Sequence, residues 1–200
     1  MAFVSRKDNF VQIKIVYYGP AMSGKTSNLE YIYKKFPGRI RSDMVSIRTH
    51  GDRTIFFDFA PFEVGSVLGF DVRAQLYTVP GQVRYNATRK LVLKGVDGVV
   101  FVADSRVARR EKNFSALKNL HENLKDEKKS IFEIPLVLQY NKRDITDVPL
   151  MPTELMEKEL NSRLKVPSFG ASVVTGENII PSLKKIIAET IVSLQKALKE

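Results

Sequence analysis

Residues 19 to 26 read Gly-Pro-Ala-Met-Ser-Gly-Lys-Thr, a G-x-x-x-x-G-K-T run that follows the apolar stretch Ile13 to Tyr18 and opens a helix-like segment. A loop of this kind cradles phosphates. Its backbone N–H groups can surround β- and γ-phosphates, and the positive end of the following helix adds to them. Lys25 supplies a point charge, and the Thr26 hydroxyl can ligate Mg²⁺. The candidate phosphate site is Gly19, Pro20, Ala21, Met22, Ser23, Gly24, Lys25, Thr26 and the adjoining Ser27.

Far downstream stands Asn141-Lys142-Arg143-Asp144, directly after the apolar segment Pro135 to Tyr140. An aspartate at the end of a buried strand can accept both the N1–H and the exocyclic amino protons of guanine, which adenine cannot offer. With the wrong base that carboxylate would stay unpaired, at a cost of several kcal/mol, on the order of a desolvated charge. Asn141 can hold the base from another edge, and the Lys142 stem can lie over a ring face. Alone the string is a polar turn; after a phosphate loop it points to GTP and GDP rather than ATP. A third element, Thr78-Val79-Pro80-Gly81-Gln82, follows the segment Phe70 to Tyr77. Gly81 lets a backbone N–H approach a γ-phosphate, and Gln82 can orient an attacking water.

These elements need a scaffold with several strand ends on one edge. Apolar runs alternate with amphipathic stretches along the chain, which predicts an α/β fold with a mostly parallel central sheet and helices on both faces. Strands are expected at Phe10 to Tyr18, Thr54 to Phe62, Phe70 to Thr78, Gly98 to Ala103, Pro135 to Tyr140 and Ser168 to Val174. Helices are expected at Ser27 to Phe36, ending at Pro37-Gly38, at Pro152 to Leu164, and at Pro181 to Lys199 with Leu183, Ile187, Ile191, Leu194 and Leu198 as its stripe. The link Glu63 to Gly69 is too short for a helical crossover and predicts an antiparallel hairpin.

The 200 residues suit a single domain, 1–200, with no visible repeat or linker. There is no cysteine, and His50 and His121 are too far apart to suggest zinc. The start of the chain lacks an apolar leader, and no apolar run is long enough to span a bilayer, so a cytoplasmic protein without membrane insertion is expected. The net charge of +10 raises nucleic acid or anionic lipid as partners. The basic residues are dispersed, however. The densest stretch, Arg106 to Lys129, carries Phe114, Leu117, Leu120 and Leu124 at helical spacing and reads as a solvated helix face. No base-reading motif supports nucleic acid.

Taken together the residues resemble the small Ras-like GTPases, and within them the MglA family of bacterial gliding-motility and cell-polarity proteins. The strings that carry the resemblance are Lys14 to Pro20, Asp52 to Phe59, Leu76 to Val83, Lys94 to Asp104 and Gln139 to Asp144. The resemblance implies a magnesium-dependent GTP/GDP switch that gathers at a cell pole and recruits gliding or type IV pilus machinery. It also implies a roadblock-type, MglB-like activating protein, and polar effector or response-regulator partners. Arg53 matches an arginine that swings toward the phosphates from within the same chain, neutralising transition-state charge. Thr54 matches the switch threonine near Mg²⁺ and the γ-phosphate, and Gln82 the water-positioning glutamine.

Three departures stand out. Thr78 occupies the place of an aspartate that helps hold Mg²⁺ in most Ras-like proteins, and Asp58 on a neighbouring strand is the candidate substitute. Ser172-Val173-Val174 stands where Ras-like proteins have Ser-Ala-Lys beside the guanine oxygen. Ala21 and Met22 lie where the loop passes the γ-phosphate, and relatives carry glycine at the place of Ala21. A Cβ there crowds Gln82 and Arg53, so a scaffold that holds nucleotide without turning it over is the alternative reading. If the crowding is what retards hydrolysis, Ala21→Gly should accelerate phosphate release from GTP, by up to about a hundredfold for a displacement of ~1 Å, with binding preserved.

Overall fold

The computed structural model describes residues 3–5, 9–36, 45–49, 53–58, 62–67 and 69–197. At its centre lies Phe10–Tyr18, called β2 because the short strand Phe3–Ser5 (β1) precedes it. After β2 come helix α1 (Lys25–Lys35), strands β3 (Val45–Thr49), β4 (Arg53–Asp58), β5 (Phe62–Val67) and β6 (Phe70–Thr78), and helix α2 (Asn86–Leu93). Strand β7 (Gly98–Asp104), helix α3 (Arg110–Asp126), strand β8 (Leu136–Asn141), helix α4 (Thr153–Met156), strand β9 (Ser168–Gly170) and helix α5 (Ile179–Ala197) complete the order.

The sheet runs β3-β4-β6-β2-β7-β8-β9, with β1 paired to β2 and β5 to β6. From β6 through β9 every pairing on this path is parallel. Every residue of β7 and β8 is buried, as expected of parallel strands covered on both faces. Alternate residues serve opposite layers. Ile13, Ile15 and Tyr17 pack with Leu29 and Ile32 of α1 and Leu183, Ile186 and Ile187 of α5. Val16 and Tyr18 pack with Val92 and Leu93 of α2 and Leu120 and Leu124 of α3. Each fully buried aliphatic side chain contributes roughly 1.5–3 kcal/mol.

This architecture gathers the chemistry. The chain passes from β2 to β6 on one side and then to β7 on the other, so β2 is the point where strand order reverses. Ligands of open α/β sheets bind beside that point, outside the carboxyl ends of the strands. The segments that follow β2, β6, β7, β8 and β9 all emerge there.

The expected hairpin needs correcting. Strand β4 does lie antiparallel to β6, but only through Phe57 opposite Thr78 and Asp58 opposite Tyr77. Much of what reads as a link is itself strand β5, pairing from Phe62 opposite Ala74 to Val67 opposite Phe70. Gly65 and Gly69 look like loop signals for different reasons. The register shifts between Glu63 and Gly65, where Gly65 has φ +134°, and Gly69 sits in the tight turn at φ +81°. The expected segment Pro152 to Leu164 is one α-turn followed by a π-turn at Glu157–Asn161. Helix α5 begins two residues before Pro181, which falls in the first turn where its missing N–H costs nothing. Pro37-Gly38, His50 and Leu198 lie outside the described residues.

Helix α5 reaches β7 at Gly98, where a Cβ would meet Oγ1 of Thr190 at 2.4 Å and Cδ1 of Ile186 at 3.2 Å. Gly98→Ala should therefore lower stability in urea unfolding by about 1–3 kcal/mol. Thr190→Ala, which removes the atom in the way, should cost less in the Gly98→Ala background than alone, by ~0.5 kcal/mol or more.

Candidate functional site

The phosphate loop leaves β2 at Gly19, where φ is +141° and a Cβ would stand 2.2 Å from the carbonyl oxygen of Val102 in β7. Only glycine passes there. At the other end, Gly24 turns at φ +99° into α1, and a Cβ would stand 2.3 Å from Nδ2 of Asn141. Helix α1 has no side-chain cap, so its first N–H groups face the loop with their partial positive charge. Lys25 is buried and arches back, donating to the carbonyls of Gly19 at 3.0 Å and Pro20 at 2.7 Å. Burial, with the charges of Arg89 and Lys142 nearby, pushes its ammonium down to about 7. A buried cation among cations is an environment that an anion relieves.

Asn141 ties the base side to this loop. Its Nδ2 donates to the Ser23 carbonyl at 2.8 Å, and its Oδ1 accepts the Val173 N–H at 3.2 Å. Ser172 is buried, and its Oγ accepts the Thr175 N–H at 3.1 Å, tightening the turn that presents Val173. Lys142 adopts φ +72° and donates to Asp104 at 2.9 Å, while Asp144 sits half-buried on the same edge. Asp104 is fully buried and also pairs with Arg106 at 2.6 Å and Arg109 at 3.7 Å. Burial alone would raise the Asp104 carboxyl; hydrogen bonds from Arg106 and Lys142 outweigh it and hold the group below its usual range.

On the third side, Gly81 presses against the loop: a Cβ would stand 2.3 Å from the backbone nitrogen of Ala21. The buried Arg89 of α2 fixes that approach by donating to the carbonyls of Pro80 and Gln82, and its Nε bonds Asn119 at 2.8 Å. Gln82 thus lies beside Ala21, in a cleft of about 550 Å³ lined also by Gly19, Pro20 and Arg109. Thr78 is fully buried, and its Oγ1 has no hydrogen-bond partner among the described residues.

Strand β4 supplies the backbone of Arg53, Thr54 and Asp58. Because Phe57 lies opposite the last residue of β6, the strand overshoots the carboxyl edge and carries Arg53 roughly 13 Å beyond Thr78, at the rise of an extended chain. Asp58 is in register with Tyr77, one place from Thr78. The side chains of Arg53, Thr54 and Asp58 lie outside the described residues.

Three residues of the site escaped the sequence reading. Arg89 sits in a helix that no expected element covered. Asp104 and Arg109 fall in or beside the segment read as a solvated face, a reading that holds for the exposed Glu111, Lys112, Lys118, Glu122 and Lys125 of α3 but not for the turn before it. Arg106 and Arg109 are pinned to a buried carboxylate, and Asn113 and Asn123 are buried. An aspartate closing a wholly apolar strand was the available signal.

The pattern of the Ras family matches residues 14–192, from β2 into α5. The chain belongs to the Ras family. It is thus a small GTPase of a family that binds guanine nucleotides. It is also similar to the mutual gliding-motility protein MglA of Myxococcus xanthus (strain DK1622), with 45% identity over 196 residues, 98% of this chain and 99% of that one. Among the described residues of this Ras-family chain, no helix is long and apolar enough to cross a membrane. No group of three or more His, Cys, Asp or Glu among them is placed to hold a metal.

Asp104 offers a test of the charge cluster. A carboxylate whose folded value is depressed contributes stability above its unfolded value, near 3.8, and loses it as pH falls through the folded value. Asp104→Asn should cost about 3 kcal/mol at pH 7 in urea unfolding, the low end for a broken buried pair, since Arg106, Arg109 and Lys142 keep some exposure. The gap between wild type and variant should narrow below pH 4.

Proposed function

We propose that the chain is a single-domain molecular switch. In this reading it binds GTP and GDP at the carboxyl edge of the sheet, hydrolyses GTP, and reports its nucleotide state to motility and polarity proteins. The observation that carries it is the Asn141 side chain, which joins the phosphate loop at Ser23 to the base-side turn at Val173. A guanine bound against Asp144 and that turn would have Lys25 and the start of α1 on its phosphate side.

In this reading Lys25 and the loop N–H groups bind the β- and γ-phosphates, Gln82 orients a water for in-line attack on the γ-phosphorus, and Arg53 neutralises charge as the bond to GDP breaks. Mg²⁺ usually keeps several waters and takes few protein ligands beside phosphates. The donor set fits an ion that arrives with the nucleotide. Thr26 stands in the first turn of α1, and among the described residues the buried Thr78 hydroxyl has no partner and no acidic cluster competes. Thr26 and Thr54 would hold the ion and Asp58 would add charge; when bound, it neutralises the developing phosphate charge.

The relative in Myxococcus xanthus is named for gliding motility, which supports a role in movement for this chain. A roadblock-type activating partner, polar effectors or response regulators, recruitment to a cell pole and control of type IV pili complete the proposal. Switching follows from segments around Arg48 to Asp58 and Val79 to Thr88 that γ-phosphate contacts would order.

Phosphate release from GTP, measured with and without a roadblock protein, tests the reading. Arg53→Ala and Gln82→Leu should each lower turnover by about a hundredfold or more while GDP affinity stays within a few-fold. Tight GTP binding with no turnover in wild type would replace the hydrolase with a scaffold. Equal affinity for ADP and GDP would overturn the guanine assignment.

A further inference from the structure

Arg109 does something that the switch mechanism above does not use. It closes the 3-10 turn Val107–Arg109 between β7 and α3, and its Nη2 donates to the carbonyl oxygen of Ala21 at 2.6 Å. Its Nε faces the buried Asp104 carboxylate at 3.7 Å, so the guanidinium is held from one side while it grips the phosphate loop with the other. The peptide it grips is the one between Ala21 and Met22.

That peptide needs holding. Met22 has φ +63°, a left-handed conformation that a Cβ disfavours, and its side chain is 75% exposed, so packing does little to keep it there. Rotating the 21–22 peptide would let Met22 return to ordinary φ. A trans peptide is planar, with its C=O and N–H pointing opposite ways. Anchoring the Ala21 carbonyl toward Arg109 therefore turns the Met22 N–H away from Arg109, which leaves it free to meet the γ-side oxygens of a phosphate held in the loop. Relaxation would reverse both groups and present a carbonyl to an anion.

The geometry points to Arg109 as a positioning residue for hydrolysis, resting on the GTPase reading above: through Asp104 and the Ala21 carbonyl it preorganises the Met22 N–H as a donor to the charge that develops when the γ-phosphate separates. Donors fixed before reaction act mainly on the transition state. The same Asp104 holds Lys142 of the base-side motif, so one buried carboxylate steadies both ends of the site.

The test is single-turnover GTP hydrolysis and GDP affinity for wild type, Arg109→Ala and Arg109→Ala/Met22→Gly. Arg109→Ala should lower the rate constant about tenfold or more while GDP affinity changes less than about threefold, a split that a merely loosened fold would not produce. Adding Met22→Gly should recover part of the rate, because glycine accepts φ +63° without strain and no longer drives the peptide to rotate. Should Arg109→Ala melt below the assay temperature, Arg109→Lys and Arg109→Gln carry the same comparison, with lysine retaining more rate than glutamine. An unchanged rate overturns the inference. So do equal losses of rate and GDP affinity with no recovery from Met22→Gly, which would make Arg109 a support of the fold. A wild-type chain that binds no guanine nucleotide would instead overturn the switch reading, and this inference with it.

Discussion

The candidate site depends on the absence of room around one loop. At Gly19, Gly24 and Gly81 an added Cβ would lie 2.2–2.3 Å from atoms of β7, Asn141 and Ala21 respectively. The phosphate loop is thereby wedged between the sheet, the base-side motif and the segment bearing Gln82. A backbone that approaches this closely can present its N–H groups together, and glycine is the residue that permits the approach. The same tightness makes the three motifs mechanically continuous, so a displacement at Gly81 is felt at Ala21 without a long chain of intermediates.

Charge is organised around that wedge. Lys25, Arg89, Arg109 and Lys142 lie on the loop or beside it, and Asp104 is the carboxylate that Lys142, Arg106 and Arg109 share. Concentrating cations in partly desolvated positions costs stability, and part of the cost is offset by carbonyls that accept from Lys25, Arg89 and Arg109. The net +10 of the chain thus has a local component with a structural purpose. That component suits a polyphosphate better than an extended nucleic-acid backbone, because it converges on one loop.

Helix α2 adds a second level of control. Arg89 holds the carbonyls of Pro80 and Gln82, while Asn119 receives both Arg89 and the Tyr18 hydroxyl, the latter at 2.6 Å. The segment carrying Gln82 is therefore attached to α3 and to the end of β2 by a polar network between layers of apolar packing. Such a network has satisfied and unsatisfied arrangements with little between, which suits an element that must take two positions.

The sequence by itself determined the family and the parallel core, and it located the candidate phosphate loop and base-side motif that the fold brings to one edge. These are local: a G-x-x-x-x-G-K-T run between strand and helix, or a buried apolar stretch such as Val99 to Ala103, carries its own geometric consequence in spacing and burial. It did not determine strand β5, because Gly65 and Gly69 look alike in sequence whether they break a strand or bulge and turn within one. Nor did it reveal Asp104, Arg89 or Arg109 as parts of the site. Whether an arginine is solvated or grips the Ala21 carbonyl 88 positions away is decided by which strand ends share an edge. Only the folded sheet sets that, since long-range hydrogen bonds and buried ion pairs have no periodicity for a sequence to display.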